Sequence, residues 1–419
     1  MSTVAAPSPP RVRPAAPERV ARAGLSHRHG FWAVAFAFTV AMAYSAVPTP
    51  LYGLYASRDG FGSLTVTIVF ATYAVGVILS LFVVGHLSDW HGRRRLLLPA
   101  LAVGAASTVV FLVWQDLPGL LVARFVSGLS IGAVTATATA WLAELHAEGR
   151  PVEPARRAEV VAISANLGGI GLGPLVAGAL AQWVRHPLTV PFLVFGGLQL
   201  VALSAVALAP ETRRLPRHER PLYRPQRIHV PAVSRAPFVA ALGAGFLSFA
   251  TFALFTSLAP AFLAGSFGHP SHALAGAAAF VVFFGAVIAQ VALARRPAAQ
   301  LVLAGAAGIV LGSAAIVTAV WLASPSLVLF LAGGMVLGTG AGAIFKGSLA
   351  TVVRISEPAR RAETLAGLFL ASYLGLVIPA VGMGLLVQQL APRVALAIFG
   401  AVVVAGILAS LRALVHAAR

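Results

Sequence analysis

Apolar residues along this chain come in blocks rather than in stripes. Twelve blocks, near 31–57, 64–87, 94–114, 119–143, 158–184, 188–209, 236–264, 271–294, 298–322, 326–350, 362–388 and 393–415, run with almost no charge. A helix needs about 20 such residues to cross the hydrocarbon of a bilayer. Within lipid it is also the one single segment that satisfies all of its own backbone hydrogen bonds. The pattern therefore predicts an all-α integral membrane protein with twelve transmembrane helices and no soluble domain. Composition agrees: 59% of residues are hydrophobic and 10% charged, where a soluble domain carries about 25% charged.

The polar positions between the blocks set the orientation. Of the 30 Lys and Arg residues, 25 fall in the tails and in the loops on one side. Arg58, Arg185 and Arg393 fall on the other side, and Arg124 and Lys346 lie inside predicted spans. Basic loops stay on the cytoplasmic face, so the expectation is a multi-pass protein of the plasma membrane with both termini cytoplasmic. The net charge of +18 is then an orientation signal and a contact with anionic lipid, not a nucleic-acid footprint. Residues 1–30, rich in Pro, Ala and Arg, read as a disordered cytoplasmic tail. The first apolar block is too long for the core of a signal peptide. Cysteine is absent, which excludes disulfides and thiolate metal sites. No two histidines stand one helical turn apart within a span, so no metal is expected, and no cofactor. No nucleophile–base pair lies at membrane depth, which argues against an enzyme.

The chain is also written twice. Residues 154–159 read Pro-Ala-Arg-Arg-Ala-Glu, and residues 358–363 read the same. Gly171-Leu-Gly-Pro174-Leu-Val-Ala-Gly178 follows the first copy, and Gly375-Leu-Val-Ile-Pro379-Ala-Val-Gly382 follows the second. The same basic loop and the same proline-interrupted span thus recur as spans 5 and 11. Two parallel halves are expected, 31–209 and 236–415, joined by a cytoplasmic linker, 210–235, that carries seven arginines and five prolines.

Between spans 2 and 3 stands Gly85-His-Leu-Ser-Asp89-Trp-His-Gly92-Arg93-Arg94-Arg95. This loop resembles the signature loop of the major facilitator superfamily of secondary transporters. The Pro-Glu-Thr-Arg that ends span 6 at 210–213 is similar to that family as well. The resemblance implies two pseudo-symmetric six-helix bundles that rock about a midplane site. It further implies a conformational latch made by Gly85, Asp89, Gly92, Arg93 and Arg94, with Asp89 facing the start of span 11 and its Arg360 and Arg361. The alternative role for Asp89 is a loop carboxylate that caps span 3. Trp90 stands where the family commonly has arginine. In span 4, Arg124-Phe-Val-Ser-Gly128-Leu-Ser-Ile-Gly132 resembles a second family motif, whose arginine is implicated in proton coupling; snorkelling to the outer interface is the competing reading. In span 5, Gly169, Gly173, Pro174 and Gly178 resemble the antiporter motif of the family's exporters, with Ala177 in place of a usual glycine. A kink without directional meaning is the plain alternative, since glycine and proline are ordinary in membrane helices.

The resemblance places spans 1, 4, 7 and 10 around the central cavity. Their polar and aromatic residues Tyr44, Thr49, Tyr52, Arg124, Thr135, Thr251, Phe252, Phe255, Thr339 and Lys346 are the candidate lining. Asn166 and Tyr373 are added from spans 5 and 11. Lys346, the one lysine of the chain, either snorkels to the cytoplasmic surface or, with Arg124, favours an anionic substrate. None of the twelve acidic residues lies deep in a span, so the titrating group of a proton-driven cycle would be peripheral, such as Asp59, Asp116 or Glu144, or belong to the substrate.

The function expected is secondary transport of a small molecule, as an exporter of the drug/proton antiporter type, by a monomer in the lipid bilayer. An importer or uniporter of sugars or organic acids is the alternative, and a non-transporting membrane sensor the alternative of another class. If Asp89 latches the halves, Asp89→Asn removes a charged hydrogen bond worth about 1–3 kcal/mol, enough to shift a two-state population roughly tenfold. Transport should then fall strongly at unchanged membrane expression, and wild-type rates in the variant would remove the latch role.

Overall fold

The computed structural model describes residues 24–84, 87–213, 225–230 and 234–418. Among them are twelve helices long and apolar enough to cross a membrane. In the first half these are α1 (His27–Asp59), α2 (Ser63–Val83), α3 (Arg93–Val113), α4 (Leu117–Gly149), α5 (Arg156–Trp183) and α6 (Val190–Leu208). In the second they are α7 (Arg235–Ser257), α8 (His272–Ala292), α9 (Ala298–Trp321), α10 (Leu327–Ile355), α11 (Arg361–Gln389) and α12 (Pro392–Ala418). No strand occurs among the described residues. The expected all-α architecture with twelve membrane-crossing helices is the one found. Residues 1–23, most of the expected disordered tail, and linker residues 214–224 and 231–233 lie outside the described residues.

Prolines break the first helix of each half near the same end. In α1 the α-helix stops at Ala46, a 3-10 turn covers Thr49–Leu51, and helix resumes over Tyr52–Asp59. Pro48 and Pro50 cannot donate to the preceding turn. The seventh predicted span behaves alike: α7 ends at Ser257 and a short helix, Ala259–Gly265, follows with Pro260 in its first turn. In α5 the ladder widens to a π-helical turn over Ser164–Gly168 just before the glycine-proline segment. Single π turns inside α-helices occur often at functional sites.

Each half encloses its own apolar core. One runs from Phe238 to Leu414 and another from Phe31 to Ala209. A third cluster, around Tyr44, Leu51, Phe111 and Phe192, takes in Ala253 and Ala380 from the second half and so reaches across the seam. With twelve crossings, the described chain starts and stops on one face. That face carries Arg93–Arg95, Arg156, Arg157, Arg360 and Arg361 and is called here the basic face; the opposite one is the distal face.

The halves meet most closely toward the distal face. A β-carbon at Gly178 of α5 would collide with the His272 carbonyl of α8, and one at Gly276 of α8 with the Pro174 carbonyl. Gln182 Oε1 accepts hydrogen bonds from Ser271 Oγ (3.1 Å) and from the His272 backbone N–H (3.0 Å). On the other side of the pseudo-twofold axis, Gly384 of α11 sits against Thr67 and Leu64 of α2. Small residues permit this because in lipid helix association depends on close packing rather than on the hydrophobic effect. The glycines of α5 divide the work. Gly169 and Gly173 press on α1 at Met42 and Ala43, while Gly171 and Gly178 press on α8.

The absence of cysteine makes this seam directly testable. Gln182→Cys with Ser271→Cys should cross-link readily in membranes. Gly276→Leu, which cannot fit against Pro174, should cut that cross-linking severalfold at equal expression. Undiminished cross-linking would mean that the glycine contact does not hold the distal face shut.

Candidate functional site

A cavity of about 160 Å³ lies between the halves at mid-depth. Its first-half wall is Met42, Ser45 and Thr49 of α1, Phe70 and Tyr73 of α2, Arg124 and Thr135 of α4, and the π-turn region of α5 around Asn166 and Leu167. Its second-half wall is chiefly aromatic: Phe249 and Phe252 of α7, Phe283 of α8, Phe345 of α10, and Phe369 and Tyr373 of α11, with Thr256 and Gln290 between them. These rings support one another, Phe249 standing 5.1 Å from Phe345 and 5.6 Å from Tyr373, and Phe252 stacking on Phe283 at 4.8 Å between centroids. A second cavity, about 220 Å³, lies toward the basic face between Ile78, Leu81 and Phe82 of α2 and Ala362, Leu365 and Leu370 of α11. Phe369 and Tyr373 line both, so two side chains separate the midplane cavity from the cleft below.

Arg124 is the charged group of the central cavity. It is 2% exposed. One Nη donates to the Ser45 carbonyl at 2.7 Å, an acceptor freed because the α-helix stops at Ala46 and Pro48, three residues on, has no N–H to offer. The guanidinium lies over the Tyr73 ring at 4.4 Å and near Phe70 at 5.9 Å. Its Nε–H is buried without a partner. An arginine at mid-helix in a membrane costs about 2.5–3.5 kcal/mol even on the lenient insertion scale, and a cation–π contact returns about 0.5–2 kcal/mol. No carboxylate lines the cavity among the described residues. Between the two early readings of Arg124, the side chain faces the cavity rather than the outer interface.

Of the other expected lining residues, Thr49, Thr135, Asn166, Phe252 and Tyr373 border the cavity. The remainder are placed elsewhere. Tyr44 turns to α3 and hydrogen-bonds Ser107. Tyr52 lines a separate distal cleft. Thr251 is fully buried and donates to the Ser248 carbonyl. Phe255 packs on Phe330 and Gly334. Thr339 donates to the Met335 carbonyl beside Gly285. Tyr73, Phe249, Phe283, Phe345, Phe369 and Gln290 escaped the sequence reading. Every span carries at least one aromatic residue, and which of them face inward depends on helix rotation.

Lys346 does not border the cavity. Its Nζ donates to Glu159 Oε1 at 2.8 Å and to the Gln290 carbonyl at 2.9 Å. Glu159 closes the first copy of the repeated hexapeptide, so this ion pair joins α10 and α8 to α5 across the halves toward the basic face. The side chains are 14% and 51% exposed, so the pair is worth at most about 1 kcal/mol. Its position between halves that must move matters more than its strength. The notion of two like charges facing one substrate therefore reduces to Arg124 alone.

The signature loop and the end of α6 clasp each other. Gly85 lies outside the described residues, as does the side chain of Asp89, whose backbone falls in the short helix Ser88–His91. Gly92 has φ +103°, ψ 148°, a conformation open to glycine, and a side chain there would strike Glu211. Glu211 accepts from the backbone N–H groups of Arg93 (2.8 Å) and Arg94 (3.0 Å), capping the positive end of α3. The Arg93 guanidinium forks onto Glu144 of α4 (2.8 and 3.2 Å) and donates to Ser88 Oγ (2.6 Å). Thr212 Oγ1 donates to Glu144 at 2.6 Å, and Arg94 reaches the carbonyls of Ala207 and Ala209. Two motifs noticed separately in the sequence are thus one structure, and Glu144 is its third member. Beside it, linker residues Gln226 and His229 hydrogen-bond the Phe82 and Glu363 carbonyls, so the linker touches α2 and α11 together.

The site is thus a cavity among twelve membrane-crossing helices. The Major Facilitator Superfamily model matches residues 31–329, and the chain belongs to that family. It is 31% identical over 186 residues to a triacylglyceride transporter of Mycobacteroides abscessus, covering 42% of this chain and 32% of that one. It is 25% identical over 173 residues to an MFS-type transporter of Methanocaldococcus jannaschii, covering 41% and 42%. The matches thus span less than half the length of these curated relatives. Among solved structures, a peptide transporter, POT, superposes with TM-score 0.74 at 13% identity over 93% of this chain and 95% of that one. The human organic anion transporter MFSD10 superposes with TM-score 0.66 at 16% identity over 93% and 99%. These likenesses establish the fold, and the family match makes the chain a multi-pass membrane protein of that superfamily.

The ion pair across the halves invites a charge swap. Lys346→Glu and Glu159→Lys should each lower the transport rate about fivefold, in line with ~1 kcal/mol, and the double variant should regain most of it. Failure of the double variant to exceed either single one would show that the contact plays no part in the cycle.

Proposed function

We propose that the protein is an exporter of the drug/proton antiporter type in the plasma membrane, with both termini cytoplasmic. The basic face is then the cytoplasmic one, in keeping with the retention of arginine-rich loops on that side. Two six-helix bundles, 31–209 and 236–415, rock about the midplane cavity, with 210–235 as the linker. The observation that carries this reading is the packing of α5. Of its motif, Pro174 and Gly178 form the α8 contact that shuts the distal side, where an exporter must open to release its load, while Gly169 and Gly173 fix α5 on α1 within the same half. The latch of the opposite state is Gly85, Asp89, Gly92, Arg93 and Arg94, which closes the basic face around α11 when the distal seam parts.

Proton coupling needs an acid whose protonation alters a contact between the halves. The three carboxylates first considered are engaged within one half: Asp59 with Arg58, Asp116 with the N–H of Gly119, and Glu144 with Arg93 and Thr212. Glu159 is the acid paired across the halves. Arg124 holds the substrate side of the cycle.

A uniporter or importer of organic acids is the second reading, favoured by one observation: no carboxylate among the described residues lines the cavity, as cation-exporting antiport would need for charge compensation. Everted vesicles separate the two. With an inward-acid gradient imposed, an antiporter accumulates its substrate several-fold above equilibrium, and an uncoupler abolishes this. Equilibration alone, unaffected by the uncoupler, would replace antiport by uniport.

A further inference from the structure

The geometry points to a ligand of defined chemistry: a monoanion with a flat apolar body, its carboxylate or sulfonate on Arg124 and its body among the rings of the second half. This rests on the transporter reading above and adds the substrate class to it.

Three observations carry it. Arg124 is a cation with a buried, unpartnered Nε–H in the cavity wall. Its other contacts are a backbone carbonyl and two ring faces, none of which cancels its charge. The second observation is that the other membrane cation, Lys346, is already neutralised by Glu159, so the unbalanced charge belongs to Arg124. A guanidinium offers a planar fork of donors that matches an oxyanion, and an anion within reach would relieve the desolvation of both.

The third is the arrangement of the walls. Opposite Arg124, Phe249 meets Tyr373 edge-on at 70°, and Phe252 lies parallel to Phe283 at 14°. Such a mix of faces and edges suits an aromatic body, because rings pair by offset stacking or edge-to-face contact. A quaternary ammonium would find ring faces too, but it would share the cavity with Arg124 at the cost of like-charge repulsion. A sugar would leave most of its hydroxyls without partners against six aromatic walls.

The two poles also belong to different halves. Arg124 is on α4, whereas the rings are on α7, α8, α10 and α11. A ligand that fits both poles bridges the bundles, and a ligand with one pole binds one bundle only. Selection for an amphipathic anion is thereby tied to the closure that the transport cycle requires.

The test uses full-length protein in lipid nanodiscs and three matched probes: 2-naphthoate, 2-naphthamide and 2-naphthylmethylammonium, measured by equilibrium dialysis. Naphthoate should bind at least tenfold more tightly than the amide, and the ammonium more weakly than either. Arg124→Gln should bring naphthoate to the affinity of the amide and leave the amide unchanged, Arg124→Lys should keep part of the preference, and Phe345→Ala should weaken acid and amide alike. Equal or tighter binding of amide or ammonium, no binding of any probe, or an undiminished naphthoate preference in Arg124→Gln would each overturn the assignment. If Arg124→Gln does not fold, the ranking in the wild-type protein decides. Counterflow in proteoliposomes separates the two levels. The expected ranking without naphthoate counterflow would keep the site and sink the transport reading, whereas counterflow of the ammonium alone would do the reverse.

Discussion

Everything in this protein depends on how near two backbones can come where the halves meet. In lipid there is no hydrophobic gain from bringing helices together, so the seam must be held by contact that larger residues would forbid. Gly178 and Gly276 between α5 and α8, and Gly384 against α2, provide it. The contact is made of short-range packing and a few hydrogen bonds from Gln182, Ser271 and His272. Short-range forces vanish after small displacements, which suits a seam that must part and re-form.

Charge is distributed by the same logic. Inside the first half, ionic groups engage one another: Glu211 caps α3, and Arg93, Glu144 and Thr212 close a network beneath it. Between the halves stands a single partly exposed pair among the described ion pairs, Lys346 with Glu159. A deep ion pair there would cost several kcal/mol to break and would arrest the cycle. Arg124 differs from both kinds. Aromatic faces and a carbonyl hold it in a cavity with no counter-charge among the described residues.

The halves are related by repeat, yet their surfaces toward the cavity have diverged. The first contributes Arg124, Asn166 and hydroxyl groups along with Phe70 and Tyr73, the second six rings with Thr256 and Gln290 between them. Proline breaks the first helix of each half, but only in α1 does the break leave a carbonyl, that of Ser45, to an arginine. Common architecture with unlike walls gives the cavity two chemically distinct poles.

Hydropathy alone disclosed the twelve spans, and the repeated hexapeptide pointed to two halves. That is so because the bilayer acts on each segment separately: length and apolar content decide whether it crosses, whatever its neighbours do. Arg124 stood out for the same reason, since a charge inside a span is conspicuous, and its side chain lies in the cavity wall. Which side chains share the cavity was not legible. Lipid is as apolar as a protein core, so the outward and inward faces of a membrane helix look alike in sequence, and Phe249, Phe283 and Phe345 cannot be told from rings that face lipid. The helix rotations, set by glycine contacts with neighbours, placed them. Only the tertiary structure could pair Lys346 with Glu159, 187 residues apart, or join the loop after α2 to the end of α6, because such pairings follow from how helices pack and leave no local trace in the chain.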